Sequence, residues 1–285
     1  MDTLSQTLLQ AAVESFGEDI GAVEGLSFFK TLDTTVVKIF RSVSANLSRF
    51  GDDFRRSELR AYDDDHRSDV TKALSAIETL DKKILVAVPE GMVGTYDETA
   101  SVLIKGFKSV DVKATSALVK TFLAKAHTID PASGDAVSQF CRESALDIKT
   151  LQDLPKQTSL KDVKSVFGKS RLMYRPLGRV FSSPIAGAKS AHRDILSFDR
   201  FFLEASRYKS QFEQITGDIA KILTKLELAP VVKTEFVQAI FSVLTGYTWM
   251  VDFYGVVLHE AQKVEHNYVI ALKTIVSAYQ VAQKK

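Results

Sequence analysis

The chain has 285 residues and a formal charge of +2, from 37 Lys and Arg against 35 Asp and Glu. Apolar residues make up 45% and charged residues 25%, an ordinary globular mixture that excludes a collagen-like or wholly disordered chain. The single cysteine, Cys141, rules out an intramolecular disulfide and denies a four-ligand zinc site its cysteine pair.

Six prolines and 14 glycines are few for this length. All-β folds consume both in turns, whereas an interior proline costs a helix about 3 kcal/mol. The long proline-free stretches 1–88, 185–229 and 231–285 therefore predict an all-α fold of about eight helices. Three regions are expected: an N-terminal helical region (1–154), a basic connector (155–189) and a long C-terminal antiparallel helical hairpin with coiled-coil character (190–285).

In chain order, an apolar stripe over 3–23 and a second over 26–50 predict two helices, with Gly51 as the C-terminal glycine of the second. A charge cluster from Asp52 to Asp69 precedes a helix carrying Val70, Leu74, Ile77, Leu80 and Ile84 inward. The run Ile84-Leu85-Val86-Ala87-Val88 reads as the buried end of that helix, with a strand as the alternative. Thr95 and Glu98 have capping-box spacing, and Asp111 has the chemistry of a second N-cap. Asp130-Pro131 predicts the start of a helix to about 151, with Val137, Phe140, Cys141, Leu146, Ile148 and Leu151 inward.

Composition shifts at Pro155. From Lys156 to Arg193 nine basic residues face one acid, Asp162. One long helix is expected from 190 to 226, and another from Pro230 to Ala282, about 75–80 Å at 1.5 Å per residue. The second helix carries heptads. Leu244, Val251, Leu258, Glu265, Leu272 and Tyr279 form one row; Tyr247, Tyr254, Ala261, Tyr268, Ile275 and Ala282 form the other. Only Glu265 is polar among the apolar and aromatic members. Such a seam, with Leu244, Tyr247, Val251, Tyr254, Leu258, Tyr268, Leu272 and Ile275 as its packing residues, requires a covering surface.

Chemical motifs are scarce. His259-Glu260 begins like the zinc-protease pair, but position 263 is Lys, and His266 lies two turns on, about 10.5 Å along the axis. Both histidines are expected on the surface. Asp63-Asp64-Asp65 lacks the frame of a calcium loop, because consecutive carboxylates on a helix point in different directions. No phosphate-binding glycine loop and no Gly-x-Ser-x-Gly occurs. Cys141 with His127 is weighed as a nucleophile and base, but a small core cysteine beside Phe140 accounts for it. No catalytic residue, metal, cofactor or small-molecule substrate is expected.

The basic stretch is the main polar feature. Lys164, Lys169, Arg171, Arg175 and Arg179, interleaved with Phe167, Tyr174 and Phe181, fit an anionic partner. The first 29 residues carry five acids and no base, so charge pairing within or between copies is the favoured reading. The N-terminus Met1-Asp2-Thr3-Leu4 lacks the pattern of a secretory signal, and a cytoplasmic or virion-type location is expected.

The expected function is that of a non-catalytic structural protein packing through long helices into a larger protein assembly, for example a virus or phage virion, with protein partners or further copies of itself. Two alternatives stand beside it. The first is a membrane-active bundle that inserts its apolar 236–258 segment. The second is an adaptor that binds an anionic partner, nucleic acid included, through 156–193.

Overall fold

The computed structural model describes residues 58–157 and 171–284. They are mostly helical, with one two-stranded sheet. Helix α1 is Glu58–Thr79, strand β1 Leu85–Pro89, α2 Tyr96–Ser109, α3 Val112–Thr128, α4 Gly134–Glu143 and α5 Ala145–Gln157. Strand β2 is Leu172–Pro176, followed by a 3₁₀ turn over Leu177–Arg179; α6 is Pro184–Leu196, α7 Phe198–Leu228 and α8 Thr234–Gln283. The helices expected over 3–23 and 26–50 lie outside the described residues, as do Lys164 and Lys169.

Two compact units are present. Within the described residues, one comprises 110–157 and 208–252, and the other 58–109, 171–207 and 253–284. The first unit is purely helical. Its core includes Phe122, Phe140 and Phe236, whose rings lie 5.1 and 5.5 Å apart in sequence. Phe212 of α7 meets Tyr247 of α8 edge-on at 6.1 Å. The Lys225 ammonium donates to the carbonyls of His127 and Ile129. It thereby satisfies acceptors that the end of α3 leaves open.

The second unit holds the sheet and an aromatic core. Tyr96 of α2 and Tyr268 of α8 stand edge to face at 5.4 Å. Phe181 joins both, and the Tyr268 hydroxyl donates to the Ala188 carbonyl at 3.2 Å. Phe107 stacks flat on Phe201 at 4.0 Å. The start of α6 approaches α2 closely, for a Cβ on Gly187 would lie 3.3 Å from the Asp97 carboxylate.

Several local expectations are met. Thr95 N–H donates to the Glu98 carboxylate at 2.9 Å, and Glu98 N–H to the Thr95 hydroxyl at 3.4 Å. This is the reciprocal capping box of α2. Asp111 accepts from Ala114 N–H at 2.8 Å and caps α3. Gly94 precedes the capping box with φ of +73°, a left-handed conformation that favours glycine.

Other expectations are corrected. Leu85–Pro89 is a strand and not the end of a helix. α1 stops at Thr79, and Val86, Ala87 and Val88 are buried while Leu172–Pro176 supplies the hydrogen-bond partners. The helix expected over 131–151 is two helices that meet at Ser144. It starts from Ser133, whose hydroxyl accepts from Ala136 N–H, while Asp130 instead closes a turn onto Ala132 N–H. Leu146, expected inward, is exposed. The long helix expected from 190 to 226 breaks at Ser197, whose hydroxyl donates to the Asp194 carbonyl at 2.6 Å. The last helix begins at Thr234 and not at Pro230.

Candidate protein-interaction surfaces

The seam of α8 is covered by the chain itself. Leu244, Tyr247, Val251, Tyr254, Leu258, Tyr268, Leu272 and Ile275 are all buried. Their ring contacts go to several elements. Tyr247 meets α7, Tyr254 meets Phe107 of α2 at 5.6 Å, and Tyr268 meets α2, Phe181 and His192 of α6. Glu265 is buried within the same helix. The 236–258 segment lies in a helix long and apolar enough to cross a membrane, but Phe236, Phe241, Leu244, Tyr247 and Phe253 are each nearly inaccessible to solvent.

Residues with catalytic chemistry are engaged in structure. The Cys141 thiol is pushed up by burial and then by the charge of Glu235, and it donates to the Glu235 carbonyl. A thiol held protonated is a weak nucleophile. Burial likewise pushes the phenols of Tyr96, Tyr247 and Tyr268 up, so they keep their protons through the physiological range. Asp97 is half-buried, which by itself favours its protonated form. Hydrogen bonds from the Ser182 hydroxyl and Ser182 N–H outweigh that, and its carboxyl sits below the ordinary value. His259 and His266 are exposed on α8, and Lys263 between them pairs with Glu260 at 2.8 Å. The side chains of Asp63, Asp64 and Asp65 lie outside the description. Among the described residues no group of three His, Cys, Asp or Glu is placed to share a metal ion.

Among the described residues, two surfaces bring exposed apolar side chains together. In the first unit a groove of about 850 Å³ runs between the α3–α4 connection and the end of α7. Pro131, Ala132, Ala220, Leu228, Ala229 and Pro230 supply its apolar wall. Leu228 is 78% exposed and Val231, just past Pro230, is 55% exposed. The groove is held from one side by Lys225 and from another by Lys233, whose N–H donates to the Pro131 carbonyl at 2.9 Å.

In the second unit the open surface is the sheet. β1 pairs antiparallel with β2, Leu85 opposite Pro176 and Pro89 opposite Leu172. The 3₁₀ turn returns to the 81–83 turn, with Gly178 N–H on the Lys82 carbonyl at 3.0 Å and Leu177 N–H on the Ile84 carbonyl at 2.7 Å. Of the expected basic residues, Arg171, Arg175 and Arg179 thus come together along β2 and its turn, and Lys82 and Lys83 join them. Arg171, Arg179, Lys82 and Lys83 are exposed, Arg175 half-buried. The two lysines escaped the sequence reading because their neighbourhood with 171–179 depends on a strand pairing across most of a hundred residues.

Compared with known protein families, curated proteins and solved structures, the chain matches none.

Proposed function

We propose that the protein is a non-catalytic structural protein that assembles with further copies of itself, the groove of the first unit receiving an apolar side chain of the neighbouring copy. One observation carries this reading: Leu228 and Val231, in the connection before α8, stand in water beside an apolar groove, while the apolar seam of α8 is buried within the chain. Large side chains left bare next to a concave apolar surface mark a contact site. The seam of α8, already covered, is not the contact in this reading.

The engagement of Cys141, Asp97 and the buried tyrosines in packing and hydrogen bonds supports a structural role. The test is the molar mass from light scattering across a concentration series. The wild-type chain is expected to move to a multiple of its monomer mass as concentration rises. The double substitution Leu228→Asp with Val231→Asp is expected to hold it at monomer mass with an unchanged circular dichroism spectrum. A wild-type monomer at every concentration, or a mass unaffected by the double substitution, overturns the reading.

A further inference from the structure

Among the described residues β2 has a partner on one edge only. Its register with β1 and the hydrogen bonds at its two ends decide which backbone groups face outward. Glu90 N–H donates to the Arg171 carbonyl at 2.7 Å, and Leu177 N–H to the Ile84 carbonyl at 2.7 Å. In an antiparallel pair the bonded positions alternate. Met173 and Arg175 therefore spend their backbone groups on Val88 and Val86, and Leu172 and Tyr174 turn theirs to the other side. No described residue takes those groups. Pro176 has no N–H to offer, so the open run ends there.

The same residues make an apolar face. Directly opposed residues share a side of the sheet. On one side Val86 and Val88 are buried. On the other, Leu85, Leu172 and Tyr174 are 56%, 40% and 66% exposed, while Ala87 and Pro89, opposite Tyr174 and Leu172, are buried. Arg171 and Arg175 alternate with Leu172 and Tyr174 and so lie on the other side of β2, where Arg171 opposes Glu90. Arg179, Lys82 and Lys83 stand with Asp81 in the turns past the Pro176 end. Asp81 already accepts from Lys83 N–H at 2.9 Å.

We propose that the outer edge of β2 is a docking site for an extended, acidic segment of a partner protein, which adds as a third strand. An open edge is a template for another strand. The backbone N–H and C=O of Leu172 and Tyr174 supply the main-chain bonds. The apolar face of Leu85, Leu172 and Tyr174 takes alternate side chains of the incoming strand, and Arg171 and Arg175 on the other side of the sheet, with Arg179, Lys82 and Lys83 in the turns, select for acids at the positions between. This site lies in the second unit and does not depend on the groove in the first.

The probe is a fluorescein-labelled decapeptide of alternating valine and glutamate, titrated against the full chain at low salt by fluorescence anisotropy. Saturable binding is expected, weakening with added salt. Tyr174→Pro removes one outward N–H without touching the bonds to β1, and is expected to weaken binding about tenfold. Arg171→Glu with Arg179→Glu is expected to weaken it to a similar degree at low salt and less at high salt.

Amide exchange in the wild-type chain reads the mode directly and is independent of how any variant folds. Peptide is expected to slow exchange about tenfold at Leu172 and Tyr174 and to leave Met173 and Arg175 unchanged. Four outcomes overturn the proposal: no binding, binding without protection at Leu172 and Tyr174, equal binding of an alternating valine–lysine peptide, or equal protection by a ten-residue oligothymidylate. A change in molar mass on Leu228→Asp leaves this result untouched, so the two readings fail separately.

Discussion

Gly246 stands within α8 where the backbone of α5 comes closest. A Cβ there would lie 2.7 Å from the Leu151 carbonyl carbon and nearer still to its oxygen. Neither backbone can give way without moving a helix, so Gly246→Ala is expected to destabilise the chain by about 2 kcal/mol or more. Gly217 is the control. It lies exposed in α7, and a Cβ there meets nothing within 4 Å. Gly217→Ala should stabilise by about 0.5–1 kcal/mol, because alanine gives up less backbone freedom in a helix. Urea midpoints of the two variants should move in opposite directions; the same sign for both defeats the close-approach account.

Asp97 gives a pH dependence. Its folded-state carboxyl lies below the ordinary value because the hydrogen bonds from Ser182 outweigh its burial. A depressed carboxylate contributes stability that is complete above the unfolded-state pKa, near 4, and is lost as pH falls through the lower folded value. The group is partly in solvent, so the contribution is held to about 1 kcal/mol or less. Asp97→Asn is expected to be less stable than wild type at pH 7, with the gap closing toward pH 3. A gap that stays constant over that range refutes the charge-based account. Nothing in the sequence pointed to Asp97, since its partner Ser182 lies far along the chain and only the fold brings the two together.

At the scale of elements, what was legible in the sequence was what local chemistry decides. The capping box at Thr95 and Glu98 needs only four consecutive residues, and it forms as written. Thr95→Ala is expected to cost about 1 kcal/mol by removing the acceptor for Glu98 N–H. Glu98→Ala should cost less, for it leaves the threonine hydroxyl in place. Thermal unfolding of the two variants checks that order, and the reverse order would mean that the Glu98 carboxylate carries the cap. The strand at Leu85–Pro89 was not legible, because a short apolar run has no period of its own to separate strand from buried helix. Its identity is settled by β2, and by the two prolines. Pro89 sits opposite Leu172 at a position where no bond to β2 is called for, so its missing N–H costs nothing. The breaks at Ser144 and Ser197 escaped for a different reason. Serine is tolerated inside helices, so the residue type does not announce a corner; at Ser197 the hydroxyl bond to the Asp194 carbonyl marks it, whereas the buried Ser144 hydroxyl makes no hydrogen bond among the described residues.

At the scale of the whole molecule, the heptad positions of α8 from Leu244 to Ile275 are buried residues, but the heptads said nothing of what buries them. Periodicity reports that a face is apolar; it is silent on whether the cover comes from a second chain or from α2, α6 and α7. Here the cover is internal, as the contacts of Tyr247, Tyr254 and Tyr268 show. The same fact bears on the 236–258 segment. To enter lipid, that segment must first give up its packing within the chain and expose Phe236, Phe241, Leu244 and Tyr247. Taking those side chains out of the core costs on the order of the folding free energy, about 5–15 kcal/mol, so the opened form in water is populated below about one part in a thousand. The folded chain is therefore expected to stay out of neutral and anionic vesicles in flotation at pH 7, and the emission of Trp249, the sole tryptophan and a buried one, should not change on adding them. Co-flotation of the folded chain, with a shift in Trp249 emission, would show that the stripe trades its internal cover for lipid and would put the membrane-active alternative ahead of the structural reading.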